Sequence, residues 1–197
     1  MGAGNCEGTA MQTDPTNNSA PFDEVLDGAT PQTGFIPLDL QPVTEIAKDS
    51  TLPLEDWRRL FDVNLFGAVL CARACRPSMA ARGGGVMLNQ SSNSSYLGVG
   101  AYSISKLALN GLTLSLAQEL APDGIRVVGI APGMVGSEAV LERLEDVHKN
   151  AVLGAQLVKR WGRVEDLVGM VLLLCSDDAS FATGQTVTVD GGFVKRI

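Results

Sequence analysis

At 197 residues, with 45% hydrophobic and 19% charged residues, the chain has the composition of a globular protein with one substantial core, and is too short to promise two independent domains. Its formal net charge of -7 argues against a nucleic-acid or anionic-membrane partner, because phosphate surfaces recruit clustered Lys and Arg and no basic patch is visible. The 4 cysteines, Cys6, Cys71, Cys75 and Cys175, include no Cys-x-x-Cys pair, so neither a metal site nor a disulfide framework is indicated and reduced cytoplasmic thiols are expected.

Taken in chain order, Met1 to Pro21 is rich in Gly, Thr, Asn, Ser and Ala with no apolar period, and reads as a flexible leader (1–21) to a domain over 22–197. It lacks a basic region followed by an apolar stretch, and the longest apolar run, Met170 to Cys175, is far short of the roughly 18 residues of a membrane span. A soluble, unsecreted protein is expected. Between Phe22 and Leu54, Val25-Leu26 and Phe35-Ile36 suggest short strands that Pro31, Pro37, Pro42 and Pro53 interrupt. From Leu54 the pattern sharpens: Trp57, Leu60, Phe61, Ala68, Cys71 and Cys75 mark one face of a long helix, which Pro77 is expected to end or kink. On that reading Cys71 and Cys75 are buried small hydrophobes.

Val86-Met87-Leu88, after the glycine run Gly83 to Gly85, reads as a short buried strand cut off by Asn89-Gln90-Ser91-Ser92. A helix follows from about Ala101 to Ala121, with Leu109, Leu112, Leu116 and Leu120 as its buried stripe and Pro122 with Gly124 as its stop. Ile125 to Ile130 is a strand closed by Pro132-Gly133, and a less regular helical stretch carries Val140, Leu141 and Leu144. The last unit is a helix from Val164 to Cys175 and a strand, Thr186 to Val189, closed by Asp190-Gly191-Gly192. Strict alternation of helix and strand implies a parallel sheet covered by helices. In such sheets the ligand crevice lies beyond the carboxyl ends of the strands, which groups the loops starting at Asn89, Ala131 and Asp190.

Tyr102 and Lys106 stand four apart at the start of a helix, so both side chains leave one face and the ammonium can lie near the phenol oxygen. A cation there favours phenolate and draws a group that ordinarily titrates near pH 10 toward acid-base work near neutrality. Many surface helices carry the same spacing by chance. Ser91 and Ser92, at the end of the preceding strand, offer a hydroxyl beside Tyr102 to bond a substrate oxygen, or form an ordinary polar turn. Asn64 is a single amide inside an apolar helical stripe and needs a partner, whether a local carbonyl or the site. His148, the 1 histidine, sits in a charged stretch, which weighs against a serine-hydrolase triad.

Asn64 within Asp62-Val63-Asn64-Leu65, Ser92 at its strand end, Tyr102-Ser103-Ile104-Ser105-Lys106, Pro132-Gly133 and Val189-Asp190-Gly191-Gly192 together resemble, in order, the motifs of the classical short-chain dehydrogenases/reductases. Gly124-Ile125-Arg126-Val127 and Thr183-Gly184-Gln185 extend the resemblance, which runs from about Leu54 to Phe193. It implies an α/β fold, a Rossmann-like doubly wound parallel sheet, and NAD or NADP as cofactor. It implies Tyr102 as proton donor or acceptor, Ser92 orienting the substrate oxygen, Lys106 tuning Tyr102 and holding the nicotinamide ribose, and Asn64 supporting a proton-relay water. Pro132, Gly133 and Ser137, where the family often has Thr, would border the nicotinamide. The reaction implied is interconversion of a secondary alcohol and a ketone, by a homodimer or homotetramer built through the helices around Asn64 and Tyr102.

Two departures stand out. The gap between Ser92 and Tyr102 is shorter than in most members, which leaves Ser91 as a possible substitute. The family also opens with a strand, a Gly-rich turn and a helix that hold the pyrophosphate; nothing before Leu54 supplies that unit, since Gly2, Gly4 and Gly8 have no strand ahead of them. Asp23 to Thr30 reads as a degraded copy of the family's central strand and its Asn-Asn-Ala-Gly loop. The expectation is therefore a partial, N-terminally truncated fold with the first strands missing and an apolar sheet edge exposed. An alternative reading is a catalytically inactive member serving as a subunit or interaction module.

Overall fold

A β-branched, almost uninterrupted apolar run makes Ile125–Pro132 the middle strand of a parallel sheet. In chain order the strands are β1 (Gly85–Gln90), β2 (Ile125–Pro132) and β3 (Thr186–Val189), paired β1-β2-β3 among the described residues, with Leu88 opposite Val128 and Val187 opposite Ile130. This computed structural model describes residues 51–136, 141–142 and 144–195. The proposed leader, the strand pairs before Leu54 and Ser137 lie outside them. The helices are α1 (Leu54–Phe61), α2 (Gly67–Ala81), α3 (Gly100–Leu120), α4 (Asp146–Ala155) and α5 (Val164–Cys175).

Alternation along β2 assigns its two faces to different helices. Ile125 and Val127 pack with Ala72 of α2 and with Leu116, Ala117 and Leu120 of α3, while Met79, Met87 and Leu112 press on the same cluster. Arg126 leaves the other face, where its guanidinium donates to the carbonyls of Leu174 (3.1 Å), Ser176 (3.0 Å) and Ala182 (3.0 Å). Those carbonyls belong to the end of α5 and the turn after it, where a helix has oxygens without intrahelical partners. One side chain thus satisfies a helix end and fastens it to the sheet.

The long helix expected from Leu54 departs from its pattern at Asn64, not at Pro77. Asp62–Phe66 is a π-helical turn between α1 and α2, and Pro77 is accommodated inside α2. A π turn carries one residue more than an α turn, so the inward face shifts by one position along the chain. Trp57 and Leu60 before the turn and Asn64 within it are half-buried, and Ala72 is buried after it, while Cys71 and Cys75, expected inside, are exposed. β1 is likewise longer than expected: Asn89 and Gln90 continue the strand, Asn89 donating to Thr113 Oγ1 at 3.0 Å, and the loop begins at Ser91.

The two ends of the sheet differ in kind. At the amino ends, Gly84 (φ 130°) crosses Gly124 so closely that any side chain on Gly84 would collide with the Gly124 carbonyl. The glycine run ahead of β1 is therefore a packing device, far along the strands from the carboxyl ends. No described helix is long and apolar enough to cross a membrane.

Candidate active site

The carboxyl ends of the three strands carry the polar side chains. Ser92 follows β1 in extended conformation (φ -153°, ψ 151°) and caps the 3-10 turn Asn93–Tyr96, its hydroxyl accepting the Ser94 N–H at 3.2 Å. α3 then begins at Gly100 and places Tyr102 in its first turn, where the Ser92 side chain acts on its phenol. One turn further, Lys106 Nζ donates to the Gln90 carbonyl at 2.9 Å and lies 5.7 Å from the centre of the Tyr102 ring. Ser92, Tyr102 and Lys106 thus lie together at the end of β1 and the start of α3.

Ser91 is not a substitute for Ser92. It is buried, and its hydroxyl donates to the Lys106 carbonyl at 3.2 Å, tying β1 to α3 from beneath the site. Period-2 alternation explains the choice, since adjacent residues at a strand end face opposite ways and only one can meet Tyr102. Asn64 reaches the same helix at one remove. Its Nδ2 donates to Ser105 Oγ at 3.1 Å, and Ser105 donates to the Tyr102 carbonyl at 2.7 Å.

The electrostatics differ from the expectation in one respect. Burial holds the Tyr102 phenol above its ordinary value of 10.0, and the opposing influence is the Ser92 hydrogen bond, not the Lys106 charge. Lys106 itself is lowered from 10.5 by burial. The spacing argument put the ammonium near the phenol oxygen, whereas the observed Lys106 is drawn down to the β1 carbonyl. A half-buried phenol kept neutral is a proton donor; supporting its anion falls to the Ser92 hydroxyl and to any advance of Lys106.

Gly133 and Asp190 close the other side. A Cβ on Gly133 would stand 2.6 Å from the Asp190 Cβ and 2.7 Å from its Cα, so only glycine lets the end of β2 pass the end of β3. Asp190, 8% exposed, accepts from the backbone N–H of Gly192 (3.0 Å) and Val194 (2.8 Å) and from Asn93 Nδ2 (3.3 Å), which joins the β3 end to the turn after Ser92. Beside Gly133 lies a cavity of about 240 Å³ that Met134, Gln156, Val158 and Gly191 also line. That is smaller than a typical whole-ligand pocket of roughly 300–1,000 Å³. Asn93 and Gln156 were missed in the sequence, where each stands in a loop without periodicity.

The donor set suits the nicotinamide-ribose end of a dinucleotide. An ammonium has three donors, and Lys106 gives one to Gln90, which leaves donors for a vicinal diol beside the Tyr102 phenol. Among the described residues no glycine-rich turn joins a strand end to a helix start in the manner that grips a pyrophosphate. His148 lies on α4 with Nδ1 3.9 Å from Glu145 and no place in the Ser92–Tyr102 pair.

A family model described as enoyl-(acyl carrier protein) reductase matches residues 23–194. An uncharacterized oxidoreductase of Mycobacterium tuberculosis is 44% identical over 147 residues, which cover 74% of this chain and 59% of the relative. Dehydrogenase/reductase SDR family member 4 of Bos taurus is 39% identical over 150 residues, 74% of this chain and 54% of the relative. The chain thus spans less than two thirds of the length of these curated relatives. Among solved structures, a 7α-hydroxysteroid dehydrogenase complexed with NADH and 7-oxo glycochenodeoxycholic acid superposes with a TM-score of 0.70 at 32% identity, covering 74% of this chain and 58% of that one. A protein from Thermus thermophilus does so with 0.68 at 38% identity, covering 72% and 62%.

Proposed function

The chain belongs to the short-chain dehydrogenase/reductase family, and from that premise we propose that it acts as an NAD(P)-dependent oxidoreductase interconverting a secondary alcohol and a ketone, with residues 22–197 as the working domain. The observation that carries this reading is the placing of Tyr102 in the first turn of α3 beside the Ser92 side chain, with Lys106 one helical turn away, at the carboxyl ends of a parallel sheet. Tyr102 gives its phenolic proton to the substrate oxygen in reduction and takes it back in oxidation. Ser92 bonds the same oxygen and holds it within reach of that proton. Lys106 holds the ribose hydroxyls and supports the phenolate, and Asn64 steadies the Tyr102 turn through Ser105. Pro132 and Gly133 would border the nicotinamide, the role proposed also for Ser137, which lies outside the described residues. A bound nicotinamide cofactor supplies or accepts the hydride.

The enzyme is proposed to work as a homodimer or homotetramer. In support, α3 exposes Leu107 and Leu114 and the neighbouring helical segments expose Val63, Phe66 and Leu70, two apolar stripes at helical spacing. Titration of this chain with NADH and NADPH, followed by calorimetry or fluorescence quenching, tests the assignment. Saturable binding is expected, and silence at millimolar cofactor overturns it. Tyr102→Phe should lower turnover by about 10²–10⁴-fold with cofactor affinity nearly unchanged; retained turnover refutes the acid/base role.

A further inference from the structure

The turn that presents Ser92 is fastened at a point no catalytic motif includes. The Ser92 carbonyl accepts twice from Ser95, from its N–H at 3.1 Å and its hydroxyl at 2.7 Å. Ser95 is 2% exposed, and its hydroxyl, having given its only proton, can take a further partner only as acceptor. Asn110 supplies it, with Nδ2 donating to Ser95 Oγ at 2.9 Å. That demand fixes which way the amide faces. Its oxygen, Oδ1, is then left buried without a hydrogen-bond partner among the described residues. A buried acceptor without a partner is destabilising, so an apolar residue would serve packing better, and the contribution of Asn110 is the bond it makes.

Tyr102, Lys106 and Asn110 fall at successive steps of four on α3, a line of polar groups along one face. Their partners are Ser92, the Gln90 carbonyl and Ser95, all within the end of β1 and the turn after it. The same helix that carries the phenol thus holds the serine loop at three heights. A donor to Ser95 Oγ also strengthens the bond which that oxygen's own proton makes to Ser92, since hydrogen bonds in series polarise one another.

We propose that Asn110 is a positioning residue which, acting through Ser95, fixes the backbone of Ser92 so that its hydroxyl stays against the Tyr102 phenol. The proposal rests on the reading of Ser92 and Tyr102 as the working pair, and its test does not depend on turnover. The titration of Tyr102 is followed by NMR of ring-labelled tyrosine, with Tyr102→Phe identifying its signal. Ser92→Ala should raise the Tyr102 midpoint, since it removes the downward influence on that group. Asn110→Ala and Ser95→Ala should raise it in the same direction, neither adding to the shift once Ser92 is alanine, and Ser95→Thr should restore it. Lys106, whose ammonium stands 5.7 Å from the centre of the Tyr102 ring, is retained in all these variants.

Where turnover is measurable, Asn110→Ala should reduce kcat by about tenfold with the cofactor KM unchanged, as expected of a misplaced group. A Tyr102 midpoint that stays put in Asn110→Ala while the melting temperature drops assigns Asn110 to packing and overturns the proposal. A shift that adds fully to that of Ser92→Ala shows that Asn110 acts by another route and overturns it too. If Ser92→Ala itself leaves Tyr102 unmoved, the pair reading fails, and the proposal with it. Ser95→Ala deletes a single oxygen and carries the test where Asn110→Ala does not fold.

Discussion

Tyr102 owes its behaviour more to where α3 starts than to the charge four residues on. In the free protein its phenol should titrate above 10.0, which ultraviolet difference titration against Tyr102→Phe will show. The sign for stability follows: with the folded value raised, this group is neutral to stability below 10.0 and destabilises as pH climbs through the folded value. Lys106, lowered from 10.5, runs the other way: the stability linked to its titration is present above 10.5 and is lost as pH falls through the folded value. Gly133→Ala should displace the Asp190 turn, costing about 1–3 kcal/mol in urea unfolding and weakening cofactor binding together. The Tyr102, Lys106 and Ser92 set was legible because helical spacing and a strand end are properties of short sequence. Ser95 and Asn110 were not, because each looks like an ordinary polar residue until β1 and α3 are packed together.

Among the elements, α5 and β3 were readable to the residue, since a capped apolar helix and a β-branched strand ending in Asp-Gly-Gly each carry their own stop signals. The α5 start is reinforced by Asp166, which accepts the Arg163 N–H at 2.8 Å and pairs with Arg160 at 2.6 and 2.8 Å; the guanidinium holds its carboxylate well below the usual range. The π turn at Asn64 was hidden, because apolar periodicity records faces and not which carbonyl each N–H reaches. A proline at position 77 signals a break, yet α2 absorbs it. Arg126 illustrates a different limit, a charged residue in a core strand whose partners are distant carbonyls at the end of α5 and in the turn after it. Arg126→Met keeps the stem and removes the donors, and should destabilise by about 2–4 kcal/mol, as charge-assisted bonds to several carbonyls are lost. Equilibrium urea unfolding will measure it, and a change under 1 kcal/mol (roughly the worth of one neutral hydrogen bond) would show that water replaces the guanidinium.

Across the molecule, the exposed stripes of Leu107 and Leu114 on α3 and of Phe66 and Leu70 beside it should make this chain self-associate. Sedimentation should report at least a dimer, with Leu107→Glu and Leu114→Glu together shifting it toward monomer. A monomer at all concentrations would set the proposed oligomer aside. The parallel sheet was foreseeable from alternation of helix and strand alone, whereas the matching of surfaces was not, because exposure depends on the phase of each helix. That phase has a chemical signature. The one additional residue in the Asp62–Phe66 turn moves the thiols of Cys71 and Cys75 off the sheet side and into contact with solvent. Deleting Val63 would return the helix to ordinary pitch and carry both sulfurs inward, so the rate at which a disulfide reagent labels them becomes a clock for whether the Asn64 turn is intact.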